Sequence, residues 1–371
     1  MKVLFITYHY LHGKGGGVFA SRGFINAFSA LSEGMTLLCP QKGDNSPVGI
    51  DPKVHVVPVR NHGPKVCRIL AFLLGRIHRF YGVFDEVLAS DKFDTVVFDA
   101  CYVSHGLIGK ARRAGCRVIT IHHNYQCDYV RANEVFPERL PMLFWTWVSE
   151  RNAVRRSDLN LTLTSQDKAL LQKHYDPRHK ADIRVLGVFE YERKSRPAAK
   201  QEVEEPVFVI TGNLEMRQTV LPLLEWLDSC YPVLKEEIPS ATVLVAGKNP
   251  TESLVSRCRE YGVELIPSPA DMQVVLDRGR YYICPASQGG GLKLRMMDGL
   301  GNGMPVLAHT AAARGYERFL DRSVFCFSDI DTFRDALHRM VSKPYDRETV
   351  VQLYQEVFSF DAGLERLRSL L

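Results

Sequence analysis

The sequence lacks paired cysteines, long apolar runs and any strong excess of one charge. Its nine cysteines stand singly, in odd number, with no CxxC anywhere. A disulfide framework needs an even, regularly spaced set, and a zinc site needs close Cys/His pairs. Neither is expected; reduced thiols in a cytosol are. No run approaches the ~20 apolar residues that span a bilayer. The opening stretch MKVLFITYHY carries one lysine and a brief apolar run. That is too little for a signal peptide, so a first buried strand of a cytoplasmic protein is expected. Short repeats and low-complexity tracts are missing too. Lys and Arg number 47 against 42 Asp and Glu, a net +5 that suits an anionic ligand or membrane surface but requires neither. No basic-and-aromatic pattern for single-stranded nucleic acid stands out, and no nucleic-acid partner is expected.

What is present is regular alternation. At 371 residues the chain is long for one core, and two domains are expected. Continuously apolar runs, KVLFIT (2–7), MTLLC (35–39), KVHVVPV (53–59), TVVFD (95–99), RVITIHH (117–123) and LNLTLT (159–164), read as strands covered on both faces. Amphipathic segments at 21–31, 104–115 and 140–154 separate them as helices. Residues 190–206, EYERKSRPAAKQEVEEP, are polar and bounded by prolines, which marks a linker. The alternation then restarts with strands at 207–212, 241–247, 263–268, 281–285, 305–309 and 324–328, and a helix over 221–238. Strand, helix, strand in succession predicts right-handed crossovers and parallel sheets. The expectation is α/β architecture: two tandem Rossmann-like, doubly wound domains with an inter-domain cleft. The boundaries are 1–190, joined by a C-terminal helix over 358–371, and 206–357. Ligands of such sheets lie beyond the carboxyl ends of the strands.

Two glycine-rich loops follow predicted strands. The first, HGKGGGVFASRG (12–23), contains GGGVFA, which spells G-x-G-x-x-A. A dinucleotide site also wants a carboxylate closing the second strand, and here that strand ends LLCPQK. The hydride-transfer reading weakens accordingly. A phosphate cradle built on the amides of Gly16 and Gly17, or a flexible turn, are both compatible with the loop. The second, QGGGLKLRMMDGLGNGMPV (288–306), predicts a helix from near Leu292 to Gly303. Leu294, Met297 and Gly301 form its sheet-facing stripe. Gly290 and Gly291 present amides at its positive end, and Asp298 lies two turns inside. A carboxylate is a natural acceptor for two vicinal hydroxyls. A plain surface helix with an Arg295–Asp298 pair is the simpler alternative.

Residues 285–306, PASQGGGLKLRMMDGLGNGMPV, resemble the nucleotide-sugar signature of GT-B glycosyltransferases of the family 4 type. That signature runs G-x-G-x-K-x-K-x-x-E-A-M-A-x-G-x-P-V. Gly289, Gly291, Lys293, Arg295, Asp298, Gly303, Pro305 and Val306 fall on it in register. Residues 207–250 resemble the opening of the family's donor domain, and 358–371 its returning terminal segment. The resemblance is loose over 40–115.

The resemblance implies a retaining glycosyltransferase, independent of metal and cofactor, whose donor is a nucleotide diphosphate sugar, with UDP the expected nucleotide. Asp298 stands where the family's ribose-binding glutamate stands, one methylene shorter. Gly290 replaces an earlier glutamate that touches the sugar, leaving that contact to Gln288 or to amides of 289–292, Gly289 and Leu292 among them. The family's basic pair after the first donor-domain strand is missing: Asn213 and Gln218 fall on those positions, and Arg217 is the nearest substitute, with Lys293 sharing the load. Lys248 reads as an ordinary solvated lysine. In the first domain, TIHHNYQ places His123 and Asn124 on the family's His-Asn segment, reaching the transferred sugar or leaving phosphate. His122 is expected on the opposite face of the strand.

No carboxylate stands out as a glycosyl nucleophile; the resemblance implies front-face attack, with the leaving diphosphate oxygen taking the acceptor proton. The one D-x-D, Asp329–Ile330–Asp331, reads as a helix cap, not a metal site. The acceptor implied is a hydroxyl of a glycan, glycolipid or glycoprotein. Residues 65–84, with Lys65, Arg68, Arg76 and Arg79 among large apolar side chains, fit a helix lying on an anionic membrane or facing a lipid-linked acceptor, or a core helix with a basic solvent face; the aromatics of 136–147 fit the same acceptor side or ordinary burial. Three other readings stay open: a catalytically weak GT-B protein that binds a sugar or partner, a sugar-nucleotide epimerase of this fold and, last, a dehydrogenase.

Overall fold

The computed structural model describes residues 1–13, 15–41, 46–60, 72, 75–134, 136–137, 139–193, 204–288, 290–342 and 346–371. The chain divides into two compact units, Met1–Lys194 with Phe358–Leu371, and Ser195–Val357.

The first unit runs β1 (Lys2–Thr7), α1 (Gly16–Leu31), β2 (Gly34–Pro40), β3 (His55–Val59), α2 (Tyr81–Ser90), β4 (Thr95–Asp99) and α3 (Cys101–Ser104). It continues α4 (Ile108–Arg113), β5 (Arg117–His122), α5 (Gln126–Asn133), α6 (Arg139–Arg156), β6 (Leu159–Thr162), α7 (Ser165–Tyr175) and β7 (Ile183–Val185). Seven strands pair in the order β3-β2-β1-β4-β5-β6-β7, all parallel. Leu4, Ile6, Val96 and Phe98 are wholly buried against Phe80 and Phe84. Each such side chain contributes about 1.5–3 kcal/mol of burial. The strand order reverses between β1 and β4, where Thr7 and Asp99, the last residues of those strands, are direct neighbours.

The second unit runs β8 (Val207–Asn213), α8 (Arg217–Glu237), β9 (Thr242–Lys248), α9 (Glu252–Tyr261), β10 (Glu264–Pro267), α10 (Met272–Asp277) and β11 (Tyr281–Cys284). It continues α11 (Arg295–Gly301), β12 (Val306–His309), β13 (Val324–Phe327), α12 (Ile330–Val341) and α13 (Arg347–Phe358). Its sheet has the order β10-β9-β8-β11-β12-β13, again parallel. The reversal lies between β8 and β11. Asp329 caps α12 in a reciprocal capping box with Thr332, the role its sequence position predicts. The final helix, α14 (Phe360–Leu370), belongs to the first unit. Gly363 lies so close to Phe189 that a Cβ would sit 2.0 Å from the ring. Arg366 donates to the Leu186 carbonyl at 2.9 Å.

Several elements differ from expectation. The helix predicted over 104–115 is confined to α4, since the separate short helix α3 ends at Ser104 and Gly106 turns at φ +73° between the two. Helix α8 begins at Arg217, not 221, and carries Pro222 and Pro232 inside it. Its buried face of Leu223, Trp226, Leu227 and Leu234 outweighs two lost backbone bonds. Strand β7 has three residues, two of them exposed, and leaves no apolar run to read. The C-terminal segment breaks at Ser359, whose hydroxyl accepts from the Ala362 amide at 3.2 Å. Tyr191, inside the predicted linker, packs on Phe19 and Arg22 of α1. Residues 65–71, 73 and 74 of the basic segment 65–84, Lys65 and Arg68 among them, lie outside the described residues, as does Gly289.

Candidate functional site

In doubly wound sheets the crevice for ligands opens where the strand order reverses. In both units that place carries buried polar groups at the carboxyl ends of the central strands.

In the first unit the centre is Asp99, fully buried. Its Oδ2 accepts from Thr7 Oγ1 at 2.7 Å and from Ser21 Oγ at 2.5 Å. Its Oδ1 lies 2.6 Å from His123 Nε2. One carboxylate thus ties together β1, α1 and the residue that follows β5. Burial pushes the Asp99 carboxyl up, but His123, His9 and the Ser21 hydroxyl prevail and hold it below the ordinary carboxylate range. An ionised Asp99 takes its proton-bearing contact from Nε2. Nδ1 is then the ring atom left to accept, or to donate when the ring is charged.

His9 stands beside this pair, its ring 5.4 Å from that of His123. Burial, with His123 second, pushes it down to about 4, so it is neutral at physiological pH. The ring lies over the first turn of α1, where a Cβ on Gly17 would come within 2.4 Å of it. Gly17 is therefore demanded by close approach; Gly16 is exposed on the same turn. His9 Nε2 and Asn124 Oδ1 are both buried without a hydrogen-bond partner among the described residues. Unpaired buried polar atoms are rare enough to mark unmet demand. His122 turns to the other face and meets Asn160 Oδ1 at 3.0 Å, as alternation predicts.

The turn bearing His123 and Asn124 is held from below. The Tyr125 amide donates to Asp167 Oδ1 at 2.9 Å, and the Gln126 amide to Glu150 Oε1 at 2.8 Å. Ala100, directly after Asp99, takes φ 130°, a conformation that strains any residue with a Cβ.

In the second unit, Thr211 of β8 bonds the Tyr282 hydroxyl at 2.6 Å, and its Oγ1 lies 3.4 Å from Asp298 Oδ2. Asp298 is exposed on α11 while Met296, Met297, Gly299 and Leu300 are buried. Gly299 permits the packing: a Cβ there would meet the Tyr282 ring at 2.7 Å. Arg295 donates to Thr219 Oγ1 at 2.9 Å and lies across Gly212. Lys293 Nζ reaches the Gly290 carbonyl at 3.4 Å. Arg217 and Asn213 are exposed at the neighbouring end of β8 and start of α8, Gln288 is exposed, and Leu292 is half-buried. Lys248 is exposed at the end of β9.

Two expectations for this loop are corrected. The helix starts at Arg295, not near Leu292, so Gly290 and Gly291 precede it and do not form its mouth. Gly291 turns at φ +69°, and the buried Tyr316 hydroxyl grips the Lys293 carbonyl at 2.9 Å, delaying the first turn. The buried stripe is likewise Met296, Met297, Gly299 and Leu300, shifted from Leu294, Met297 and Gly301 by that later start.

Comparison with known proteins places this architecture. No family model matches the chain. An uncharacterised protein in the cps region of Klebsiella pneumoniae is 24% identical over 249 residues, 62% of this chain. The chain spans about three fifths (61%) of that protein's length. Among solved structures, the lipopolysaccharide outer core galactosyltransferase WaaB superposes with a TM-score of 0.68 at 14% identity, covering 100% of this chain and 99% of that one. HepE of Anabaena, in complex with UDP and glucose, gives 0.67 at 12% identity, covering 100% and 98%. Sucrose-phosphate synthase of Thermosynechococcus elongatus gives 0.66 at 14%, covering 100% and 94%. The fold is GT-B, over the whole chain.

Proposed function

We propose that the chain is a retaining glycosyltransferase that moves a sugar from a nucleotide diphosphate sugar, with UDP as the nucleotide, to a hydroxyl of a glycan, glycolipid or glycoprotein. The observation that carries this reading is the polar cluster at the β8/β11 reversal: an exposed carboxylate, Asp298, seated on a short helix beside Thr211 and Tyr282. An exposed carboxylate in that place suits the two hydroxyls of a ribose. Lys293 and Arg217 supply positive charge for the diphosphate, and Gln288 with the amides of 290–292 faces the sugar. The fold shared with WaaB, and with HepE holding UDP and glucose, supports the same reading.

In this account the sugar–phosphate bond breaks as the acceptor oxygen attacks the same face, and the departing diphosphate oxygen takes the acceptor proton. The protein orients reactants and stabilises charge growing on the diphosphate. His123, fixed by Asp99, is the first unit's contribution: its other ring nitrogen, Nδ1, accepts from a hydroxyl of the transferred sugar, or donates to the leaving phosphate when the ring is charged. No metal is assigned a part; Lys293, Arg217 and backbone amides answer the diphosphate charge.

The test is donor consumption across a panel of UDP- and GDP-sugars, with and without acceptor glycans, for wild type and His123→Ala. Sugar transfer that falls by about 10²–10³-fold in the variant supports the reading. Binding without turnover in wild type favours a sugar-binding protein instead, and donor conversion without acceptor favours an epimerase.

A further inference from the structure

Two arginines that no carboxylate answers converge on one glycine of the first unit. Gly109 lies in the first turn of α4, and the point its Cβ would occupy is 3.2 Å from Arg156 Nη2 and 3.5 Å from Arg113 Nη1. Arg113 ends α4 and Arg156 ends α6, so the two guanidiniums come from different helices. They line a pocket of about 200 Å³ together with Ser104, Gly109, Lys110 and Asn152. The neighbouring cations are paired, Lys110 with Asp85 and Arg112 with Asp158. Arg113 and Arg156 meet no carboxylate among the described residues.

Arginine cannot relieve such crowding by losing its proton. Salt weakens the repulsion, but one anion seated between the two guanidiniums turns it into attraction. Two nitrogens so placed are near enough for a single phosphate or diphosphate to bridge, and Asn152 adds an amide N–H₂ to the same wall. A recess suits a small anion better than a bilayer or a nucleic acid, whose phosphates are spread over a plane or along a line. The pocket also lies apart from the crevice at the carboxyl ends of the strands. Arg113 stands four residues before β5 and Arg156 three before β6, which puts both at the amino ends, the edge opposite Asp99 and His123. An anion there would brace α4 against α6, the helix whose Glu150 holds the Gln126 amide.

We propose that Arg113 and Arg156, with Asn152 beside them, form a binding site for a small phosphate-bearing molecule, separate from the crevice assigned to the reaction. The inference does not rest on the sugar-transfer reading, because it uses no residue assigned to the donor and leaves His123 aside.

The test is calorimetric titration of pyrophosphate into the full chain, in a phosphate-free buffer with saturating UDP to fill the donor site. Wild type is expected to bind pyrophosphate at one site, more weakly at high salt, and to unfold at a higher temperature in its presence. Arg113→Gln/Arg156→Gln should lose about 10²-fold in affinity for want of two charge-assisted contacts. Arg112→Gln/Arg155→Gln removes the same charge one residue away and should bind as wild type does. UDP binding by both variants should match wild type, and UDP that fails to bind wild type counts against the donor site alone. Absence of a pyrophosphate site, or equal losses in the two double variants, overturns the proposal. So does flotation with phosphatidylglycerol vesicles that needs Arg113 and Arg156 while pyrophosphate goes unbound, since the phosphate recognised would then be a lipid's.

Discussion

Glu150 should make the stability of this protein fall as pH rises through the neutral range. The side chain is fully buried. Its Oε1 takes the Gln126 amide at 2.8 Å, and the Tyr175 hydroxyl lies 3.0 Å from Oε2. Burial first, with Asp167 adding to it, pushes the carboxyl up to about 8 from an ordinary 4.5. The native state therefore holds a proton that the unfolded chain releases. This contribution is fully present below pH ~4.5 and is lost as pH climbs toward ~8. Between pH 6 and pH 8 linkage takes away about 2 kcal/mol. Glu150→Gln keeps an oxygen for the Gln126 amide and offers an N–H to the Tyr175 oxygen, but has nothing to titrate. The urea-unfolding free energy of the variant, measured at pH 6, 7 and 8, should rise relative to wild type by about 2 kcal/mol across that span. Taking the difference cancels the other titrating groups. Parallel curves for the two proteins would refute the buried, protonated carboxyl.

Other substitutions test the first unit's polar centre. Asp99→Asn leaves a carboxamide that cannot accept from Thr7 and Ser21 and also from His123. With its oxygen toward the hydroxyls, its N–H₂ faces Nε2, and the ring proton must move to Nδ1. Glycosyl transfer should fall by about 10²–10⁴-fold while nucleotide binding by the other unit is kept, as kinetics and calorimetry together would read. Unfolding free energy should drop by about 1.5–3 kcal/mol for the lost charged hydrogen bond. Ala100→Gly should do the opposite. Glycine tolerates φ 130°, so thermal unfolding should show a net gain of about 1 kcal/mol after glycine's own entropic cost.

Much of the fold was legible because strands covered on both faces must be continuously apolar. TVVFD and KVLFIT correspond to β4 and β1 residue for residue. Helix starts were less legible, since glycine runs say that a turn is permitted but not where it ends. Gly291 and the grip of Tyr316 on Lys293 decide the start of α11, and Tyr316 is distant in sequence. The site was legible only where a motif lay in one stretch. His123 and Asp298 could be named from their local patterns, but Asp99, Thr7, Ser21 and His9 meet His123 only through sheet pairing and packing. One signal was available: TVVFD is an otherwise apolar strand that ends on a carboxylate, at the edge where ligands of parallel sheets bind. Thr211 and Tyr282 gave no signal, because their hydroxyls are hidden inside strands read only for their apolar rhythm.

The central claim is that the β8/β11 reversal with its α11 carboxylate binds a nucleotide diphosphate. Calorimetric titration of UDP, GDP, ADP and NAD into wild type and Asp298→Ala tests it most directly. Selective binding of UDP, weakened about 10–100-fold in the variant by loss of one or two charged hydrogen bonds, is the predicted result. Binding that is absent, indifferent to the nucleotide or unchanged by Asp298→Ala would contradict it.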